Sequence, residues 1–227
     1  RGGVIDPMFV DASSVIESAK SRGIVTISIG DGGNEMGMGA LRETIEKYVR
    51  DGKIVPDLVV PMSEHRTFKY FKEETLQKYA EQYGWTLIDD SNRKDMFMDM
   101  IRQMDMSYSY KPVLIKAVMT YADDKGRIKL EDIVNYFRTY YEGRRAAGVK
   151  VEKANSIFAK GGYTDKEAER NILSNPFKRF EDMQMLRHTK TLGIVQVDES
   201  VWKNLSKEEK TEIEKICDAK LTEYYNR

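Results

Sequence analysis

Ile24-Val25-Thr26-Ile27-Ser28-Ile29-Gly30-Asp31-Gly32-Gly33-Asn34-Glu35-Met36-Gly37-Met38-Gly39 decides how the first part of the chain is read. The six-residue run is apolar and rich in β-branched side chains, which reads as a buried strand. A helical pattern follows, with Leu41, Ile45, Tyr48 and Val49 on one face. Between them lie Gly30, Gly32, Gly33, Gly37 and Gly39, interleaved with Asp31, Asn34 and Glu35. A turn alone needs one or two glycines. A cluster of them lets the backbone adopt positive φ and lets a ligand come close. Asp31, Asn34 and Glu35 would project from the carboxyl end of a strand, where open α/β sheets bind ligands. The spacing is neither the dinucleotide fingerprint, since Glu35 stands where the third glycine belongs, nor a Walker A loop, since no Lys-Ser or Lys-Thr follows.

Outward from this loop, helix and strand alternate. Residues 11–19 read as a helix stopped by Gly23. Asp51-Gly52 ends the helix after the loop, Leu58-Val59-Val60 reads as a strand closed by Pro61, and Glu73 to Tyr83 reads as a helix stopped by Gly84. Trp85-Thr86-Leu87-Ile88 is a third strand. Strands separated by helices predict a small, incomplete parallel sheet over residues 1–90. The polar break Asp89-Asp90-Ser91-Asn92 separates it from residues 91–227.

The second part reads as mainly helical. Met96, Met98, Met100, Met104 and Met106 fit either an adaptable docking surface or core methionines of a linking helix. Val113, Leu114, Ala117, Val118 and Tyr121 form one apolar stripe, and Ile133, Val134, Phe137, Tyr140 and Tyr141 form another. A short strand at Arg127 to Leu130 lies between them. Thr164 with Glu167, and Ser206 with Glu209, have capping-box spacing, and Asn175-Pro176 reads as a helix break. Ile194 to Val197 alternates like a strand, and His188 reads as a surface residue. Helix, strand, helix, helix, strand-turn is the order of a winged helix. The predicted fold is thus an α/β N-terminal part followed by a mainly α winged-helix-like domain.

Lys+Arg and Asp+Glu both total 37, and this zero balance argues against a protein devoted to non-specific nucleic-acid binding. The cations nevertheless concentrate. Arg138 to Lys190 carries twelve Lys or Arg against seven Asp or Glu. Arg144, Arg145, Lys166, Arg170, Lys178 and Arg179 are therefore candidates for phosphate contact, the alternative being a solvated helix face. A single cysteine, Cys217, excludes a disulfide within the chain and points to a reducing, cytoplasmic setting. With two histidines, His65 and His188, a structural zinc site is not expected. No apolar run approaches a membrane span, so no membrane partner is expected. A first residue of Arg1 suggests a fragment.

Thr26 to Gly39, with Arg42-Glu43 just after, resembles the central signature of the D-glutamate cyclases, over roughly residues 14–50. That resemblance implies closure of D-glutamate to 5-oxo-D-proline. Asp31 or Glu35 would act as acid or base, and Gly30, Gly32, Gly33, Asn34, Gly37 and Gly39 would hold the substrate, a small acidic amino acid. A divalent metal on the hard oxygens of this loop is a further expectation. Where the family continues with a Ser-Asn-Trp-Gly-like segment, this chain has Pro61-Met62-Ser63-Glu64-His65.

Met106-Ser107-Tyr108-Ser109-Tyr110-Lys111-Pro112-Val113-Leu114, Gly126 to Ile133 and Glu169 to Glu181 are similar to the C-terminal region of bacterial DEAD/DEAH-type helicase proteins of restriction and phage defence, over roughly residues 66–227. The sequence has no Gly-Lys-Ser/Thr loop and no DEAD or DEAH box, so no ATPase chemistry is expected. This resemblance implies a non-catalytic accessory module that contacts DNA or a helicase partner subunit. The cyclase-like lyase is the alternative.

Overall fold

The computed structural model describes residues 45, 47–63, 66–84 and 91–227. The chain divides into two compact units, residues 1–88 with 182–184, and residues 89–181 with 185–227. The described part is mainly helical, with two small antiparallel sheets.

In the first unit, residues 47–50 are helical and Asp51-Gly52 turns the chain, with Gly52 at φ 70°. Strand β1 (Leu58–Ser63) pairs antiparallel with β2 (Arg66–Tyr70), and helix α1 (Glu73–Tyr83) follows. The expected parallel neighbours of β1, residues 24–29 and 85–88, lie outside the described residues. The pairing seen is antiparallel, and Pro61 does not end the strand. Among the described residues β1 and β2 pair only with each other, and an edge strand tolerates a proline without an N–H. Helix α1 stops at Gly84 (φ 66°), whose N–H reaches Ala80 O. Its start is capped from a distance: Asp57 accepts the Lys72 N–H at 2.7 Å and the Thr75 hydroxyl at 3.0 Å. Ile45, Ile54, Phe71 and Leu76 form the small core, with Tyr48, Val49, Tyr79 and Tyr83 around it.

The second unit has a larger core. Helix α2 (Arg93–Arg102) buries Phe97, Met98 and Ile101, and Met104 and Met106 are buried just beyond it. Three of the five methionines, Met98, Met104 and Met106, are therefore core, while Met96 and Met100 are half-buried. Helix α3 (Tyr110–Tyr121) is apolar on nearly every side because it is packed against both α4 (Leu130–Ala146) and α9 (Lys207–Tyr225). Pro112 stands in its first turn, where no intrahelical N–H bond is lost. Between α3 and α4 runs β3 (Arg127–Lys129). After the short α5 (Ile157–Lys160), α6 (Asp165–Ile172) packs on α4.

Asn175-Pro176 does not break the chain as the sequence suggests. Leu173–Phe177 forms a π turn with Pro176 inside it, leading directly into α7 (Lys178–Asp182). The wider turn accommodates a ring that a regular α-helical interior would reject. Burial of Pro176, Phe177 and Phe180 holds it there.

Strands β4 (Leu186–Thr189) and β5 (Ile194–Val197) form a hairpin, and the sheet order is β3-β5-β4, all antiparallel. Helix α8 (Glu199–Asn204) packs on β5 and α2. Both expected capping boxes, Thr164 with Glu167 and Ser206 with Glu209, are formed. Among the described residues no helix is long and apolar enough to cross a membrane.

Candidate nucleic-acid interface

Strand alternation sorts the three-stranded sheet into two faces. Across the strands the rows are Arg127–Gln196–Arg187, Ile128–Val195–His188 and Lys129–Ile194–Thr189. Ile128, Val195, Val197 and Leu186 are buried, so this face meets the helices. Arg127, Lys129, Arg187 and Thr189 are exposed on the other face. The three strands, RIK, LRHT and IVQV, contain no carboxylate. Lys190 adds a cation at the hairpin turn.

The sheet is fixed at both ends. At one end, Asp123 accepts the Lys125 and Arg127 N–H groups at 2.9 Å each and pairs with the Arg127 guanidinium at 2.8 Å. The Arg127 N–H, with its guanidinium next, holds the Asp123 carboxyl below its ordinary range. Gly126 sits at φ 73° beneath Trp202, and a Cβ there would lie 2.7 Å from Trp202 Cγ. The Trp202 indole N–H donates to Asp123 O at 3.1 Å. At the other end, the Leu130 N–H donates to Gly193 O at 2.8 Å, tying the hairpin to the first turn of α4. A cleft of about 570 Å³ lies beside this tie, lined by Lys129, Glu131, Asn135, Glu169, Lys190 and Leu192 among others.

The cations chosen from sequence fare unevenly. Arg144 stacks over the Tyr225 ring, 3.3 Å from its centroid, and its Nε–H donates to Lys150 O at 2.8 Å. Arg145 donates to Phe158 O at 2.6 Å and Ala159 O at 3.2 Å. These two guanidiniums are structural. Lys178 pairs with Glu181 at 3.3 Å. Lys166, Arg170 and Arg179 are exposed. Arg179 lies close enough to Lys111 to help burial, the larger cause, lower the ammonium pKa of Lys111. Helix α6 itself, DKEAERNI, carries three acids against two bases. Asp165 pairs with Arg138, and Glu167 closes the capping box, its carboxyl held down first by the Thr164 N–H. Helix α6, which carries two of the candidate cations, is therefore not basic, while the strands of the sheet hold no acid. His188, read from sequence as a surface residue, is half-buried on the inner face with its ring edge-on to Phe177.

Arg144 belongs to a buried polar network that the sequence landmark around Ser109 supplies. Glu152, 6% exposed, accepts the Ser109 N–H at 2.8 Å, the Ser109 hydroxyl at 2.5 Å, the Lys153 N–H at 2.8 Å and the Tyr224 hydroxyl. Ser109 Oγ also bonds Tyr141 OH at 2.7 Å, and Tyr225 OH lies 2.9 Å from Ser109 Oγ and 2.8 Å from Val151 O. Tyr110 donates to Ser156 Oγ at 2.6 Å, and burial pushes its phenol up to about 12. Tyr141, Tyr224 and Tyr225 are raised as well, each chiefly by burial. These phenols stay protonated as donors, so the network is an internal brace.

Asp31, Glu35 and the glycine-loop residues Gly30, Gly32, Gly33, Asn34, Gly37 and Gly39 lie outside the described residues. Among the described residues, no group of three or more His, Cys, Asp or Glu is placed to hold a metal ion.

Residues 1–60 match the family model described as D-glutamate cyclase-like, C-terminal. The match covers the glycine-rich loop and about a quarter of the chain. No curated protein and no solved structure matches.

Proposed function

We propose that residues 89–227 are a non-catalytic, winged-helix-like docking module that contacts DNA, as the accessory part of a bacterial helicase-type defence protein. The succession α3, β3, α4, α6 and the β4–β5 hairpin, with strand order β3-β5-β4, supports the winged-helix reading. The observation that carries the DNA reading is the outer sheet face, with Lys129, Arg187 and the neighbouring Lys190 and no acid in its strands, Arg127 on the same face being paired with Asp123. Phosphate contacts of this kind give affinity that falls with salt and depends little on sequence. In this reading the sheet and hairpin carry the contact, and α6, with its surplus of acid, does not lead it.

The test is fluorescence anisotropy of the whole chain on a labelled duplex across a salt series. Lys129→Glu, Arg187→Glu and Lys190→Glu together are expected to reduce the slope of log K against log salt by about 3, near 0.9 per lost phosphate contact. Arg170→Glu, Lys178→Glu and Arg179→Glu together are expected to change it less. An unchanged slope in the sheet variant overturns the proposal.

The family match over residues 1–60 supports a second reading for the first unit. Here the glycine-rich loop holds D-glutamate, and Asp31 or Glu35 manages the proton as the amine attacks the γ-carboxyl carbon and water leaves. A divalent metal bound there would polarise the carboxylate. Turnover of D-glutamate to 5-oxo-D-proline, with Asp31→Asn as control, tests it. Full activity in Asp31→Asn would remove Asp31 from the chemistry.

A further inference from the structure

Between α4 and α5 the chain from Ala147 to Ser156 has no helix or strand, yet it is tied down along its length. The Gly148 and Val149 N–H groups return to Arg145 O and Arg144 O at 3.0 and 3.2 Å. Lys150 O accepts the Arg144 Nε–H and Val151 O accepts the Tyr225 hydroxyl, both at 2.8 Å. The Ser156 N–H closes on Lys153 O at 2.9 Å. A strap bonded this often has little freedom left to lose on contact with a partner.

Its charge is one-sided. From Gly143 to Gly162 there are five cations, Arg144, Arg145, Lys150, Lys153 and Lys160, and a single acid, Glu152. Glu152 is 6% exposed and its carboxylate is turned inward onto four donors, so the outer surface of the strap is left to the cations. Lys150, Lys153 and Lys160 are exposed, and among the described residues none of the three is in an ion pair. Lys150 stands over the Tyr224 ring at 5.6 Å and Lys153 over the Tyr108 ring at 5.2 Å. Arg144 covers the adjoining Tyr225 ring, and Lys160 follows Ala159, whose carbonyl holds Arg145. The acids on the flanking elements are already engaged. Glu142 pairs with Arg138 at 3.7 Å and Glu223 with Arg227 at 2.5 Å, and Asp105 lies near Lys111 and Arg227.

The kind of cation left outside indicates the kind of anion. Guanidinium forks recognise planar carboxylates two bonds at a time. Here the forks of Arg144 and Arg145 are spent on a ring and on backbone carbonyls. What remains are ammonium groups, point charges that respond to charge density. Duplex DNA offers about one negative charge per 1.7 Å of its axis. The aromatic faces beneath are occupied as well, Tyr108 by Lys153 on its ring and Tyr110 stacked at 4.8 Å, so no platform is offered to a base. Resting on nucleic acid as the partner of the docking module, we infer that this strap is a second phosphate-binding surface. It shares no residue with the sheet face, it grips the duplex backbone through Lys150, Lys153 and Lys160, and it is indifferent to sequence.

The experiment uses the whole chain and a labelled duplex. Lys150→Gln, Lys153→Gln and Lys160→Gln together are expected to lower the slope of log K against log salt by about 3, and the three Lys→Arg changes are expected to keep it. Acetylation of the unaltered chain by an N-hydroxysuccinimide ester, read by mass spectrometry, is expected to slow at these three lysines when duplex is present. That readout does not depend on a variant that folds. Polyglutamate at equal charge is the competitor, and it is expected to protect them less than duplex does. The strap is refuted if the Gln variant keeps the wild-type slope, if duplex leaves the three lysines open to acetylation, or if polyglutamate protects them as well as duplex, which would make this a surface for an acidic protein. A slope that falls with the sheet variant but not with the strap variant removes the strap and leaves the docking module standing. The converse leaves the strap and removes the sheet face. Absence of DNA binding by the whole chain overturns both.

Discussion

Replacing Glu152 with alanine tests whether the buried network is a brace. The carboxyl group receives four donors, of which the Ser109 N–H, the Ser109 hydroxyl and the Tyr224 hydroxyl belong to residues no more than 6% exposed. A buried donor left without an acceptor costs about 1–3 kcal/mol. The two hydroxyls can turn toward other oxygens, Tyr141 and Tyr225 being at hand, so the three do not add in full. The Ser109 N–H has no such freedom. We expect Glu152→Ala to destabilise the second unit by about 3–5 kcal/mol, a large share of the ~5–15 kcal/mol typical of a domain. Urea unfolding followed by far-UV circular dichroism measures this as a lower midpoint at unchanged slope. A cycle with Tyr224→Phe should show coupling of at least about 1 kcal/mol, because both changes remove one shared bond. A loss below about 1 kcal/mol, or strict additivity with Tyr224→Phe, would refute the reasoning.

Gly126→Ala should cost about 2–4 kcal/mol, from left-handed strain together with the clash on Trp202. Gly148→Ala, at φ 67° but facing open space, should cost about 1 kcal/mol in the same melts. A smaller loss at Gly126 than at Gly148 would remove Trp202 from the argument. Glu167 and Glu209 sit below the ordinary carboxylate value of 4.5, Glu209 chiefly through Lys94 and then the Ser206 N–H. A depressed folded pKa stabilises above the ordinary value and the gain is lost as pH falls. Glu167→Gln with Glu209→Gln should therefore lower Tm at pH 7, and the deficit should shrink as pH drops below 4.5, read by thermal melts across pH.

What the sequence made legible was what its neighbours in the chain decide. Thr164 with Glu167, and Ser206 with Glu209, close their capping boxes within a single turn, and Gly84 ends α1 through its own φ. Leu186–Thr189 was hidden because only Leu186 is apolar, and its strand character comes from pairing with β5. β2 (Arg66–Tyr70) is short and flanked by charged residues, and its pairing with β1 is what makes it a strand. Pro176 looked like a stop because proline lacks a donor, but the core around Phe177 and Phe180 holds a wider turn instead. Charge was the least legible property. Arg144 and Arg145 resemble solvated cations until Tyr225, Phe158 O and Ala159 O are placed on them. Arg187 and Lys129 meet on one face only when the strand register is known. The glycine-rich loop, the most explicit chemical signal in the sequence, lies outside the described residues.

The bonds that seal the second unit join residues far apart in sequence: Trp202 to Asp123 across 79 positions, Tyr224 to Glu152 across 72, and Tyr225 to Ser109 across 116. Each closes a long loop whose entropy must be lost before the contact forms. A ribosome making this chain therefore releases α3 and α4 before Tyr224 and Tyr225 emerge. Until Tyr225 has left the exit tunnel, the apolar flanks of α3 lack their α9 cover, and that interval is when a chaperone would find something to hold.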